Sequence, residues 1–94
     1  MTKMNKSQRK KLVVNSTTEN LTLIRDFIKS TGEEFGLTAE LVGKIVLSVD
    51  EACTNIIKHA YKYSAEGTIT LLLEIQNGEF KVVIIDEGAH FNPE

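Results

Sequence analysis

The chain lacks the features that mark secreted and membrane proteins. Its single cysteine, Cys53, cannot form an internal disulfide, which favours a reducing cytoplasm. No apolar run is long enough for a transmembrane helix, and the basic start leads only into residues 12–14, too short for the core of a signal peptide. Repeats and low-complexity linkers are also absent. The composition, 41% hydrophobic and 26% charged over 94 residues, predicts one small cytoplasmic domain without a membrane segment.

Negative charge is missing from the first eleven residues. Five basic side chains lie there: Lys3, Lys6, Arg9, Lys10 and Lys11. The whole chain has 11 basic and 13 acidic residues, so residues 12–94 keep 6 basic and 13 acidic ones, a balance of −7. The leader has no aromatic residue to stack on a base, and the acidic body repels phosphate backbones. We therefore expect residues 1–11 to be a flexible tail, and we expect no direct contact with nucleic acid.

The periodicity predicts the order strand, helix, helix, strand, strand. Residues 12–15 are predicted to be a short strand, and Ser16 and Glu19 fit the N-cap and N3 positions of a capping box. The first helix carries an apolar stripe of Leu21, Ile24, Phe27, Ile28 and Phe35. Gly36 is its predicted stop, although Gly32 weakens the last turn.

The second helix is predicted to begin at a Thr38 cap and to run about five to six turns, at ~3.6 residues per turn. Its apolar stripe is Leu41, Ile45, Val49, Ala52, Cys53, Ile56 and Ala60. Within that stripe we interpret Cys53 as core packing and not as a reactive thiol. The spacing of Cys53, His59 and His90 does not match a zinc site.

The last two strands are predicted at residues 68–75 and 80–85, joined by a hairpin turn at Asn77-Gly78. The fold class is therefore α+β, a two-layer sandwich with helices on one face of a mixed or antiparallel sheet. Both strands have apolar residues at consecutive positions, so both sheet faces need cover. Because two helices cover one face, we expect the other to meet another chain or further residues.

The second helix carries a polar strip beside its apolar stripe. In this strip Glu51, Asn55 and His59 are spaced four residues apart. The Asn oxygen is a hard neutral donor that suits Mg²⁺ beside phosphates. A carboxylate one turn away can orient or deprotonate an attacking hydroxyl. The alternative interpretation is an ordinary solvated helix flank, and spacing alone does not decide between them.

A second polar cluster follows the last strand. The Asp86 carboxylate can accept a hydrogen bond from an adenine amino group, and Gly88 has no Cβ to keep a planar ring from the backbone. The alternative is a plain Asp-Glu-Gly turn.

Taken together, the two clusters resemble a known family. Residues 51–61, EACTNIIKHAY, resemble the N-box of the GHKL (histidine-kinase-like) ATPase superfamily, most closely its anti-sigma-factor serine-kinase branch. Residues 86–93, DEGAHFNP, resemble that branch's adenine-binding G1 box. The resemblance covers residues 12–94 and implies a Bergerat-type ATP-binding fold.

The resemblance also implies roles, cofactors and partners. Asn55 matches the magnesium ligand, Glu51 the carboxylate that activates the attacking hydroxyl, and Asp86 and Gly88 the adenine-binding pair. His59, near Asn55, has two interpretations that stay open: contact with the nucleotide, or a hydrogen-bonded structural histidine. Family members bind ATP and Mg²⁺, commonly form homodimers, hold a sigma factor inactive and phosphorylate a serine of its anti-anti-sigma antagonist.

The sequence departs from the family pattern in two respects. His90 stands where many relatives have a second glycine of the G1 box. The family also continues past the position of Pro93 with a lid and a second glycine-rich box, whose backbone N–H groups hold the phosphates. We expect residues 12–94 to be the N-terminal part of such a domain.

Two alternatives to a serine kinase stay open. One is a non-catalytic protein-interaction module that keeps a partner-binding surface without nucleotide turnover. The other is the catalytic domain of a two-component histidine kinase, which is disfavoured because no helical dimerisation region fits before residue 12.

Overall fold

The computed structural model describes residues 8–60 and 66–87. The strands are β1 (Gln8–Asn15), β2 (Thr68–Gln76) and β3 (Glu79–Glu87); the helices are α1 (Leu21–Phe35) and α2 (Ala39–Asn55), with a 3-10 turn at Thr18–Asn20 and a π turn at Ile56–Ala60. In this part of the chain the strands form one antiparallel sheet in the order β1-β2-β3, with the helices packed on one face. The predicted α+β class is confirmed.

The hairpin between β2 and β3 has the predicted turn. Asn77 and Gly78 have φ values of 54° and 82°. Two consecutive positive φ values are those of a type I′ turn, whose twist matches that of the flanking strands. The tight turn fixes the register, so that Gln76 pairs with Glu79 and Ile69 with Asp86.

The core lies between the helices and the inner sheet face. Ile69, Leu71 and Leu73 alternate along β2 and are fully buried. The helices cover them with Ile24, Ile28, Val49 and Cys53, continued by Ile57 of the π turn. The predicted stripe of α1 is confirmed, with Phe27 and Phe35 at the edge of the core.

The outer sheet face carries exposed apolar residues among its polar ones in the described residues. Val13 of β1 keeps 53% of its surface accessible, and Ile85 of β3 keeps 41%. Leu72 and Val83, in the adjacent row of the same face, are half-buried. This agrees with the expectation that the helices cover one face only; what covers the second face stays a prediction.

The first strand begins earlier than predicted. Residues 8–11, which belong to the predicted basic tail, pair with residues 72–75 of β2. Arg9 donates from Nε to Glu74 Oε2 at 2.8 Å, so β2 neutralises part of the basic charge. Residues 1–7 of the predicted tail lie outside the described residues.

The predicted capping box at Ser16 and Glu19 is wrong. Ser16 is fully buried, and its hydroxyl accepts a hydrogen bond from the Gly67 N–H at 3.1 Å. The Ser16 N–H in turn donates to the Gly67 carbonyl at 3.0 Å. Ser16 therefore joins the end of β1 to the start of β2, and the helix begins only after the 3-10 turn.

The ends of the helices are largely as predicted. Gly36 ends α1 at φ 82°, with the Leu37 N–H donating to the Gly32 carbonyl at 2.9 Å, as in a Schellman motif. Thr38 caps α2 by accepting the Leu41 N–H at 3.1 Å. The predicted start of the apolar stripe is wrong by one position: Leu41 is 41% exposed, whereas Val42 is buried.

The two helices approach closely at Gly32. A Cβ at this position would lie 2.6 Å from Val42 Cγ2, whereas a Cβ at Gly43 would meet nothing within 4 Å. Val42 is β-branched and has little rotamer freedom in a helix, so it cannot move aside cheaply. The missing side chain at Gly32 thus offsets its poor helix propensity.

We predict that Gly32→Ala and Gly43→Ala have opposite effects on stability. Gly43→Ala should raise the free energy of unfolding by up to ~1 kcal/mol through helix propensity. Gly32→Ala should lower the free energy of unfolding by about 1 kcal/mol, because the clash of the added methyl group with Val42 outweighs the gain in helix propensity. Urea unfolding followed by circular dichroism measures both. Equal stabilisation by the two variants would contradict the close helix contact.

Candidate functional site

The polar strip lies on the outward side of α2 and of the π turn that follows it. Glu51, Asn55 and His59 are all exposed. Their direction follows from the opposite side of the helix, where Val49 and Cys53 are buried against the sheet. The structure therefore presents the predicted strip to solvent, at the C-terminal end of α2.

The π turn at Ile56–Ala60 was not predicted. In a continuing α-helix, Ile57 would lie about 40° around the axis from Cys53. A π turn follows Asn55 instead, and Cys53 and Ile57 are both fully buried. Ile56, which was assigned to the stripe, is only half-buried. The only sequence feature that relates to this turn is the adjacent pair Ile56-Ile57, and the sequence does not indicate which of the two is buried.

The direction of α2 follows from contacts at both ends of the helix pair. At the C-terminal end of α1, Lys10 Nζ lies 3.2 Å from Glu34 Oε2 in an ion pair. The Phe35 ring packs edge-on against that of Phe80, with 6.1 Å between the ring centroids. Nearer the other end, Arg25 Nε lies 2.7 Å from Asp50 Oδ1. The helices are thus antiparallel, and α2 ends over the opposite end of the sheet from Phe80.

Asp86 lies at that same end of the sheet. It pairs directly with Ile69, and directly paired residues project from the same face. Because Ile69 is buried beneath the helices, Asp86 belongs to the helix-facing side of β3. One detail of the prediction is wrong: Asp86 does not follow the strand but lies within it, because pairing with β2 continues to Glu87.

The structure therefore brings the helix strip and Asp86 to one end and one side of the sheet. Gly88 and the rest of the predicted G1 box lie outside the described residues. The roles given to Glu51, Asn55, Asp86 and Gly88 stay predictions, as does nucleotide contact by His59.

The donors on the strip suit Mg²⁺ shared with phosphates. No group of three or more His, Cys, Asp or Glu side chains that could hold a metal occurs within the described ranges. Mg²⁺ commonly takes only one or two protein oxygens and completes its octahedron with phosphate and water. The exposed amide of Asn55 fits that pattern as a single protein ligand.

Cys53 belongs to the core beneath the strip, as the sequence predicted. Burial is the main cause that raises the pKa of its thiol, to about 11, and the nearby negative charge of Asp50 adds to the shift. The protonated thiol behaves as a small apolar side chain.

Comparison with known proteins identifies the family. The sequence profile of the histidine kinase-like ATPase domain matches residues 14–94. The chain belongs to this family. It is 35% identical over 80 residues to the serine-protein kinase RsbW of Staphylococcus epidermidis, which covers 84% of the chain and 50% of that relative.

Two further relatives carry the same name. RsbW of Staphylococcus aureus (strain Newman) is 34% identical over 82 residues, which are 86% of the chain and 52% of the relative. RsbW of Bacillus subtilis is 28% identical over 74 residues, 79% of the chain and 46% of the relative. The chain thus spans about half the length of the curated relatives it matches.

None of the helices in the described residues is long and apolar enough to cross a bilayer.

We predict that Cys53 makes stability fall at alkaline pH. Its pKa is about 8.5 in an unfolded chain and about 11 in the fold, so the native state favours the protonated thiol. The stabilisation is complete below about pH 8.5 and declines above it by up to ~1.4 kcal/mol per pH unit.

Urea midpoints measured from pH 7.5 to 10.5 test this dependence. Cys53→Ala should show a shallower decline, since other titrating groups are common to both proteins. Parallel declines in the two proteins would contradict the pKa shift.

Proposed function

We propose that this chain is the nucleotide-binding part of an ATP-dependent protein serine kinase of the anti-sigma-factor type. The observation that carries the proposal is the placement of Asn55 and Asp86 at one end and one side of the sheet, within a region that matches the histidine kinase-like ATPase domain. ATP with Mg²⁺ is the proposed cofactor, and the reducing cytoplasm is the proposed location.

Each side chain has one task in this proposal. Asp86 accepts a hydrogen bond from the adenine amino group, and Gly88 lets the ring approach the backbone. Asn55 offers its amide oxygen to Mg²⁺, which neutralises phosphate charge when bound. Glu51 accepts the proton of the substrate hydroxyl. The exposed imidazole of His59, beside Asn55, contacts the nucleotide.

The proposed partners follow from the relatives and from the family resemblance. The relatives are named serine-protein kinases. We infer that the phosphoryl acceptor is a serine of an antagonist protein, that a sigma factor is the other partner, and that the protein is a homodimer.

A second candidate function is a protein-interaction module without nucleotide turnover. The exposed apolar residues on the outer sheet face, Val13 and Ile85 among them, favour it. The two functions differ in one result: the interaction module would bind a partner without phosphorylating it. Phosphoserine formation by this chain would exclude that alternative, and phosphohistidine would instead indicate a two-component kinase.

We predict that Asn55→Ala abolishes Mg²⁺-dependent nucleotide binding and leaves the fold intact, because Asn55 is exposed. Isothermal titration with Mg-ATP should lose its signal, and nucleotide should no longer raise the melting temperature. Glu40→Ala, an exposed position at the other end of α2, is the control and should bind like the wild type. Unfolding of Asn55→Ala would instead indicate a structural role.

We predict that Glu51→Gln lowers phosphoryl transfer far more than binding. A general base contributes about 10²–10⁴-fold to a rate, whereas the amide keeps the size of the side chain. Transfer of labelled phosphate from ATP to serine of an added antagonist protein measures the rate, and calorimetry measures the dissociation constant. Equal losses in both would rule out the base role.

A further inference from the structure

An ion pair joins the two helices next to the candidate site. Arg25 Nε donates to Asp50 Oδ1 at 2.7 Å across the helix interface. The Asp50 side chain is 28% exposed and that of Arg25 is 42% exposed, so the contact lies at the edge of the interface. The hydrogen bond to Asp50 is the main cause that raises the pKa of Arg25, with the charge of Asp50 second.

This pair fixes α2 at a second point along its length. The first point is Gly32 against Val42, near the start of α2. Asp50 lies eight residues beyond Val42, about 12 Å further along the axis. The half of α2 that carries the polar strip is therefore tied to α1 by Arg25.

The apolar contacts beneath this half of α2 are less restrictive. Hydrophobic burial is non-directional, so the burial of Val49 and Cys53 specifies the rotation of the helix about its axis less sharply than a hydrogen bond does. A charge-assisted hydrogen bond at 2.7 Å fixes both distance and direction. Since Glu51 follows Asp50 directly, any rotation that breaks the pair also turns the Glu51 and Asn55 side chains relative to Asp86.

We propose that Arg25 and Asp50 are positioning residues: their ion pair sets the rotation of the C-terminal half of α2 and so aims Glu51 and Asn55 at the metal-bound phosphates. The proposal rests on the proposed function. It assigns no contact with the nucleotide to either residue; both act through the helix.

Arg25→Met tests the proposal, because it keeps the aliphatic length and removes the charge. Titrations are done well below the melting temperature, so that every variant is folded. The dissociation constant for Mg-ATP should rise about 5- to 10-fold, within the range of coupling between neighbouring residues. Binding of ADP without Mg²⁺, which depends on the adenine end, should change by less than about 2-fold. A merely structural role would lower the melting temperature and leave both constants unchanged.

Arg9→Met is the matched control. Arg9 also pairs through Nε with a carboxylate, Glu74, at 2.8 Å, but on the sheet and away from α2. This variant should leave the Mg-ATP constant at its wild-type value. If Arg9→Met weakened Mg-ATP binding as much as Arg25→Met does, the specific role of the helix pair would be overturned.

A double-mutant cycle completes the test. Asp50→Asn should weaken Mg-ATP binding about as much as Arg25→Met, and the double variant should be no worse than either single variant. Independent, additive losses would overturn the proposal, as would wild-type affinity in Arg25→Met. Failure of the wild-type protein itself to bind Mg-ATP would overturn the proposed function, and the positioning role with it.

Discussion

β2 is the element on which the other elements depend. Its three fully buried residues, Ile69, Leu71 and Leu73, form the sheet side of the core. Its two edges pair with β1 and β3. Because side chains alternate along a strand, this register decides which residues of both neighbours face the helices. A slip by one residue would bury Val83 and Ile85 and turn Asp86 to the outer face. The position of the proposed adenine-binding carboxylate is thus a consequence of how a β-hairpin is paired.

Features governed by neighbours in the chain could be predicted from the sequence. Asn77-Gly78 specifies its turn through two positive φ values, Gly36 ends a helix because it tolerates φ 82°, and Thr38 caps α2 through its own hydroxyl. Ser16 shows why the rest could not be predicted. It has the right spacing for a cap, but its hydroxyl is bound by Gly67, a partner 51 residues away in the sequence.

The candidate site divides in the same way. Glu51 and Asn55 could be placed on an exposed strip because helical periodicity sets them opposite Val49 and Cys53. The π turn could not be predicted, since Ile56 and Ile57 are adjacent and alike and only the tertiary structure shows that Ile57 is the buried one. Nor could the pairing of Arg25 with Asp50, because either residue alone is typical of a solvated helix. The family resemblance supplied the roles, and the tertiary structure supplied their arrangement.

The register of the sheet also sets an order for folding. The β2–β3 hairpin closes over a two-residue turn, whereas Asn15 and Thr68 pair across a long intervening segment that contains both helices. Loop-closure entropy makes such a distant contact slow to form. We expect hairpin amides to become protected in pulsed hydrogen exchange before those of β1. Until β1 docks, one edge of β2 is unpaired, so the newly made chain is most prone to association during that interval.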